Sequence, residues 1–417
     1  MLAAPPETEA PVKDLAQEII DREKRFVFQN YGRYPLALHR GKGCNLFDFS
    51  GRRYLDLISG IGVNGLGHAH PRIVRVIREQ VTQLVHCSNL YYQEYQGLLA
   101  ERLARMSGLQ RSFFCNSGAE GIETAVKMIR SHGNRIDPAK NEIITCENSF
   151  HGRTTGAISI TGQPKYRKDF EPLLAGVRFI PFNDPAALEA AMNERTAGVV
   201  LEVIQGEGGV FPVSEVMLRT ARELCDRYNA LLVFDEIQCG VGRTGTYFAY
   251  QMFDPPVLPD VVVTAKPIAA GLPLGAVIAS ESAAATIAPG MHGTTFGGGV
   301  LSCRVACEFL DILDEILPQM RERSAYFEKK LQALAARHAV IREVRVRGLM
   351  IGVELHVPGK QCVSDAMNLG LLINCTHETV LRFLPPYIIS EKEIDKAVRI
   401  LDKVLKAVPS APASPAS

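Results

Sequence analysis

The chain is predicted to be an α/β protein, with a large domain built on a mostly parallel mixed sheet flanked by helices and a smaller α+β domain beside it. Three observations predict this. Short apolar runs recur through the middle of the sequence: EIITCE (142–147), VRFIPF (177–182), VVLEVI (199–204), LLVFD (231–235), VVVT (261–264) and GAVIAS (275–280). They are apolar on both sides of the pleat, as strands covered on both faces must be. Helical patterns lie between them, which is what crossover connections need. After Gly299 the pattern changes: helical segments around 303–340 lead into RVRGLMIGVEL, then VLRFLPPYIIS, then a final helix at 391–407.

Taken in order, residues 1–12 and the tail 409–417 are low in complexity and are expected to be disordered. Residues 13–70 are expected to join the small domain. Residues 71–298 form the large domain, and 299–408 complete the small one. The formal net charge of +1 and the 22% of charged residues give no electrostatic case for nucleic acid or an anionic membrane as main partner. No apolar stretch is long enough to span a bilayer, and MLAAPPETEAP lacks the basic and apolar regions of a signal peptide. Ten scattered cysteines without a CxxC pair read as free thiols in a reducing, cytoplasmic compartment. The His68-Ala69-His70 triplet is followed by Pro71 and reads as a structural turn, so no metal is expected.

Open sheets of this kind bind ligands beyond the carboxyl ends of their strands. Three strand ends here carry chemical groups: Asp235, Lys266 and the loop Ile204-Gln205-Gly206-Glu207. They are expected to converge. In FFCNSGAEGIETAVKMIR (113–130), Ile122, Ala125, Val126 and Ile129 fall at i, i+3, i+4, i+7, with Glu123 and Lys127 paired on the outer face. Asn116-Ser117-Gly118 reads as the start of that helix, where free N–H groups and a positive dipole end suit a phosphate; an ordinary N-cap gives the same pattern. Cys239 to Gly245 contains a formal GxGxxG, but TGTYFAYQMFDPP follows instead of a helix, so dinucleotide binding is rejected. An aspartate ending a buried run is costly unless paired. A protonated pyridine ring would pair with it, as would a structural cation. A lysine beside a pyridoxal aldehyde would form a Schiff base, with desolvation lowering its pKa.

With these residues assembled, the chain resembles the class III, fold-type I pyridoxal-phosphate aminotransferases, most closely their acetylornithine branch. The resemblance runs from about residue 20 to 405. It is carried by GIGVNGLGHAHP (60–71), NLYY (89–92), FFCNSGAE (113–120), SFHGRT (149–154), QGEGG (205–209), FDEIQCGVGRTG (234–245), TAKP (264–267), HGTTFGG (292–298) and VLRFLPP (380–386).

The resemblance implies the following roles. Lys266 holds pyridoxal 5'-phosphate covalently and moves the proton. Asp235 pairs with the ring nitrogen, Gln238 meets the phenolic oxygen, and Ile237 and Phe150 lie on opposite faces of the ring. Ser117, Gly118 and Ala119 bind the phosphate. Thr295, with Thr294 beside it, reaches phosphate or substrate from the neighbouring subunit of a homodimer. Arg153 and Arg382 grip substrate carboxylates. Glu207 masks Arg382 in one half-reaction and frees it in the other. Val203 stands where proline often precedes IQGEGG, and Gly299 where asparagine often closes GGN; neither removes a chemical group. The activity implied is ping-pong transfer of a distal amino group from N-acetylornithine to 2-oxoglutarate. Ornithine, succinylornithine, 4-aminobutyrate or an acylated lysine are alternative donors, and a non-catalytic relative is the competing class.

Overall fold

The computed structural model describes residues 12–408. The terminal stretches expected to be disordered fall outside it, except Val12, which opens a helix at Val12–Phe26. A seven-stranded sheet forms the centre, in the order 111–115, 275–279, 261–264, 231–235, 196–202, 142–146, 177–180. Six strands run one way. The strand Gly275–Ala279 is antiparallel to both neighbours. All six apolar runs supply strands of this sheet, although the third ends at Glu202 and its Ile204 pairs instead with Pro212 in a separate two-stranded sheet. A seventh, Arg111–Cys115, was not anticipated; it lies at the edge, with an exposed arginine and half-buried residues at its start.

The pleat sorts side chains between two cores. Leu201, Leu232, Phe234, Val262 and Ile278 face one, while Val200, Leu231, Val233, Val263 and Val277 face the other. Each such burial contributes roughly 1.5–3 kcal/mol. The second face is covered by the helix Gly118–Ile136, whose Ile122, Ala125, Val126 and Ile129 are buried as the periodicity requires. The expected Glu123–Lys127 pair does not form. Glu123 Oε1 accepts the Gly156 N–H at 2.9 Å, and Lys127 Nζ meets His292 Nδ1 at 3.1 Å, so tertiary partners outcompete the local one.

The helical region after Gly299 is one helix, Val300–Ala335, and a strand begins at Ile341 instead of the helix running to 340. Gly299 is its N-cap and supplies no side-chain hydrogen bond. A four-stranded sheet follows, in the order 341–347, 350–355, 380–383, 374–376. Leu371–Leu372 pairs in parallel with Leu55–Asp56, so the N-terminal segment and the C-terminal region share a sheet. His68 Nε2 lies 2.8 Å from Asp56, and its backbone bridges Gly43, as expected of a turn. The 239–245 segment starts no helix: Val241, Gly242 and Gly245 all have positive φ.

Candidate active site

The three chemical strand ends converge. A cavity of about 420 Å³ opens at the carboxyl ends of the parallel strands, and Ser117, Gly118, Ala119, Phe150, Arg153, Glu207, Asp235, Ile237, Gln238 and Lys266 all line it. Arg382 sits behind Glu207 and Gln238 and touches both. Thr294 is tied to the cavity wall through Asn116, whose Nδ2 donates to its hydroxyl at 2.9 Å. Thr295 is exposed and is not part of this chain's cavity wall.

One end of the cavity is a helix N-terminus. Ser117 caps it, its hydroxyl oxygen accepting the Glu120 N–H at 3.2 Å. Gly118 and Ala119 are the first residues of the helix, so their N–H groups have no intrahelical acceptor. A Cβ at Gly118 would lie 2.7 Å from the Ile237 side chain, and one at Gly275 only 2.5 Å from the Ser117 carbonyl. The cup is tight because glycine makes it so.

The floor is set by strand register. Asp235 and Glu202 are paired neighbours on adjacent parallel strands, with both side chains on the face of the second core. Two carboxylates side by side cannot both ionise cheaply. Burial first, and then the charge of Asp235, push the Glu202 carboxyl well above its ordinary range. Glu202 also accepts the Phe150 N–H at 3.1 Å. Asp235 already has protein partners: Oδ2 meets His151 Nδ1 at 2.7 Å and Oδ1 accepts the Ile237 N–H at 3.0 Å. His151 is itself buried, and its Nε2 lies 3.2 Å from the Thr145 hydroxyl. Neither His151 nor Glu202 was singled out from sequence.

Lys266 follows the strand Val261–Thr264 with a backbone φ of +23°, a strained value for a side-chain-bearing residue. Burial, reinforced by the positive charge of Arg382, lowers its pKa, while Glu207, Asp235 and Glu202 pull it back up. At the rim, Arg382 Nη1 donates to Glu207 Oε1 at 2.6 Å and to Gln238 Oε1 at 3.1 Å. Burial raises the Glu207 carboxyl, but Arg382 outweighs it and the net shift is downward. Arg153 has no carboxylate partner among the described residues; its guanidinium lies over the Tyr166 ring, 4.0 Å from the centroid.

Residues 27–405 match the family described as aminotransferase class-III. The chain belongs to the class III aminotransferases. It is 43% identical to the acetylornithine aminotransferase of Methanocaldococcus jannaschii over 392 residues, covering 93% of this chain and 98% of that protein. It is 45% identical to the acetylornithine aminotransferase of Aquifex aeolicus over 381 residues, covering 91% and 100%. Among solved structures it resembles the ornithine aminotransferase of Toxoplasma gondii, at 32% identity and a TM-score of 0.89, covering 94% of both chains; that structure has pyridoxal phosphate in partial occupancy at its active site. Members of this family use pyridoxal 5'-phosphate, and the cavity fits it. Its helix N-terminus suits a phosphate, its acid a protonated ring nitrogen, and its buried lysine, whose pKa burial lowers, an aldehyde.

Proposed function

We propose that this class III aminotransferase transfers the δ-amino group of N-acetylornithine to 2-oxoglutarate, in the cytoplasm, as a homodimer. The observation that carries it is the Glu207–Arg382 ion pair at the rim of the Lys266 cavity, with Arg153 left free. An ω-amino donor brings one carboxylate, which Arg153 grips, while Glu207 hides the second arginine. 2-Oxoglutarate brings two, and needs Arg382 uncovered. Arginine suits both tasks because its planar fork takes a carboxylate bidentately. The choice of donor rests on the relatives at 43% and 45% identity. Ornithine is the second reading, favoured by the T. gondii structure at 32% identity.

When bound, the cofactor supplies an aldehyde that takes up the amino group and an electron-withdrawing ring that acidifies the carbon beside it. Gly118, Ala119 and Ser117 hold its phosphate. Asp235, fixed by His151, keeps the ring nitrogen protonated. Ile237 and Phe150 enclose the ring. Gln238 turns its amide oxygen toward Arg382 and so has its NH₂ left for the phenolic oxygen. Lys266 would hold the aldehyde until the donor amine arrives, and its nitrogen, once free, would take the proton from the donor Cδ and return it to the cofactor carbon.

Three features support the dimer and the compartment. Leu90, Tyr91, Tyr92 and Phe296 are exposed apolar side chains, and Asn89 and Gln93 bond the 297–298 backbone beside them. A patch of that kind next to an exposed Thr295 suits a two-fold partner whose cavity that threonine completes. All ten cysteines are unpaired, as in a reducing compartment.

The deciding experiment is a donor panel with 2-oxoglutarate as acceptor. N-Acetylornithine is expected to exceed ornithine, succinylornithine and 4-aminobutyrate in kcat/KM by about tenfold or more, since small pocket differences give roughly 10–200-fold discrimination. Ornithine leading the panel would transfer the reading to the second donor. Turnover without any acceptor would indicate a mutase instead.

Cofactor uptake should depend on pH. Only the neutral amine condenses with the aldehyde, so uptake by the cofactor-free protein should rise with pH, with its inflection below 10.5, the ordinary lysine value. Glu207→Gln removes a charge that holds the proton on Lys266. The inflection should therefore move to lower pH, as read by the growth of cofactor absorbance; no movement would mean that Glu207 does not act on the lysine.

A further inference from the structure

We propose that Thr376 is a positioning residue that fixes the pivot of the Glu207 gate, and so sets how the site divides its preference between ω-amino donors and glutamate. This rests on the gate reading above. The strand Asn374–Thr376 runs antiparallel to Val380–Phe383, with Asn374 opposite Arg382 and Thr376 opposite Val380. The two-residue repeat of a strand puts Asn374 and Thr376 on one face and turns Cys375 away. Both face the gate. Asn374 Oδ1 accepts from Arg382 Nε at 3.3 Å, while the buried Thr376 hydroxyl lies 2.6 Å from the Glu207 carbonyl oxygen and 3.5 Å from its Oε2.

A hydroxyl has one proton to give. At 2.6 Å it goes to the backbone carbonyl, so the Glu207 carboxylate is held at Oε1 by Arg382 and has no strong partner at Oε2. The rest of the loop is anchored too. Gln205 Nε2 donates to the Glu147 carbonyl at 2.9 Å, and Arg345 Nη2 donates to the Gly209 carbonyl at 2.7 Å. With the backbone fixed at 205, 207 and 209, Glu207 opens and closes by side-chain rotation alone. The loop passes close against the side chain that shares Arg382 with Glu207: a Cβ at Gly206 would lie 2.0 Å from Gln238 Oε1. Releasing the pivot disorders the closed ion pair and unmasks Arg382. That penalises the donor half-reaction, which needs the pair, more than the glutamate half-reaction, which breaks it.

The test follows both half-reactions of the holoenzyme by cofactor absorbance, with N-acetylornithine and with glutamate. Thr376→Val should lower the ratio of donor to glutamate kcat/KM about fivefold, the equivalent of one ordinary hydrogen bond. Thr376→Ser should restore it. Glu207→Ala should lower the ratio further, and adding Thr376→Val to that variant should change it by less than about 1.5-fold, because the two act as one unit. An unchanged ratio in Glu207→Ala would overturn the gate itself. A shifted ratio there, with none in Thr376→Val, or with the full fivefold added on top of Glu207→Ala, would overturn the role of Thr376 alone. Should the valine variant not fold, Thr376→Ala gives the same reading.

Discussion

Lys266→Ala is expected to cut turnover of N-acetylornithine with 2-oxoglutarate by roughly 10⁴-fold, the upper range for losing a positioned proton-transfer group. The cavity should survive. Lys266 contributes no side-chain hydrogen bond or ion pair to the described fold, and alanine keeps the Cβ that the backbone φ of +23° already accommodates. Cofactor should still bind through the phosphate cup and Asp235, but borohydride should no longer fix it to residue 266. Small primary amines should restore part of the rate, since the vacated space adjoins a cavity of about 420 Å³. Rescue should rise with pH as the added amine loses its proton. A variant within tenfold of the parent rate would remove Lys266 from the reaction, and borohydride labelling elsewhere in the parent protein would do the same.

The reason Lys266 stood out in the sequence is also the reason the fold did. Apolar runs that tolerate no charge end at charged residues, and those ends meet at one edge of a parallel sheet. Asp235, Lys266 and the loop carrying Glu207 were legible on that ground alone, while Arg153, Arg382 and the masking role of Glu207 needed whole motifs. Contacts made across long stretches of chain were not legible. His151 looked like part of an arginine motif, and its partner lies 84 residues away. Glu202 sits inside VVLEVI, where a carboxylate in a wholly apolar run was a signal that went unused. Arg111–Cys115 escaped because an edge strand need not be apolar on both faces. The Glu123–Lys127 pair was a sound local expectation, but Gly156 and His292 supplied better partners from elsewhere in the chain.

Asp235→Asn should be nearly as damaging as loss of the lysine, with kcat down by about 10³-fold, the scale seen when a preorganised electrostatic partner is removed. The amide is close in shape, so the loss would come from charge and from hydrogen-bond parity. The carboxylate accepts on both oxygens, from His151 on one side and the Ile237 N–H on the other. An amide offers one acceptor and one donor, so whichever way it turns, an N–H of the amide faces another donor unless His151 changes its tautomer. Meanwhile one of the two causes that push the Glu202 carboxyl upward, the charge of Asp235, disappears, and burial alone is left to raise it. Residue 235 then offers no carboxylate to a protonated ring nitrogen. The variant should bind cofactor more weakly, with an altered absorbance spectrum and a lowered kcat for every donor in the panel alike. An effect confined to one donor would place Asp235 at the substrate. Full activity would mean that the strand-end acid is structural, held for His151 alone.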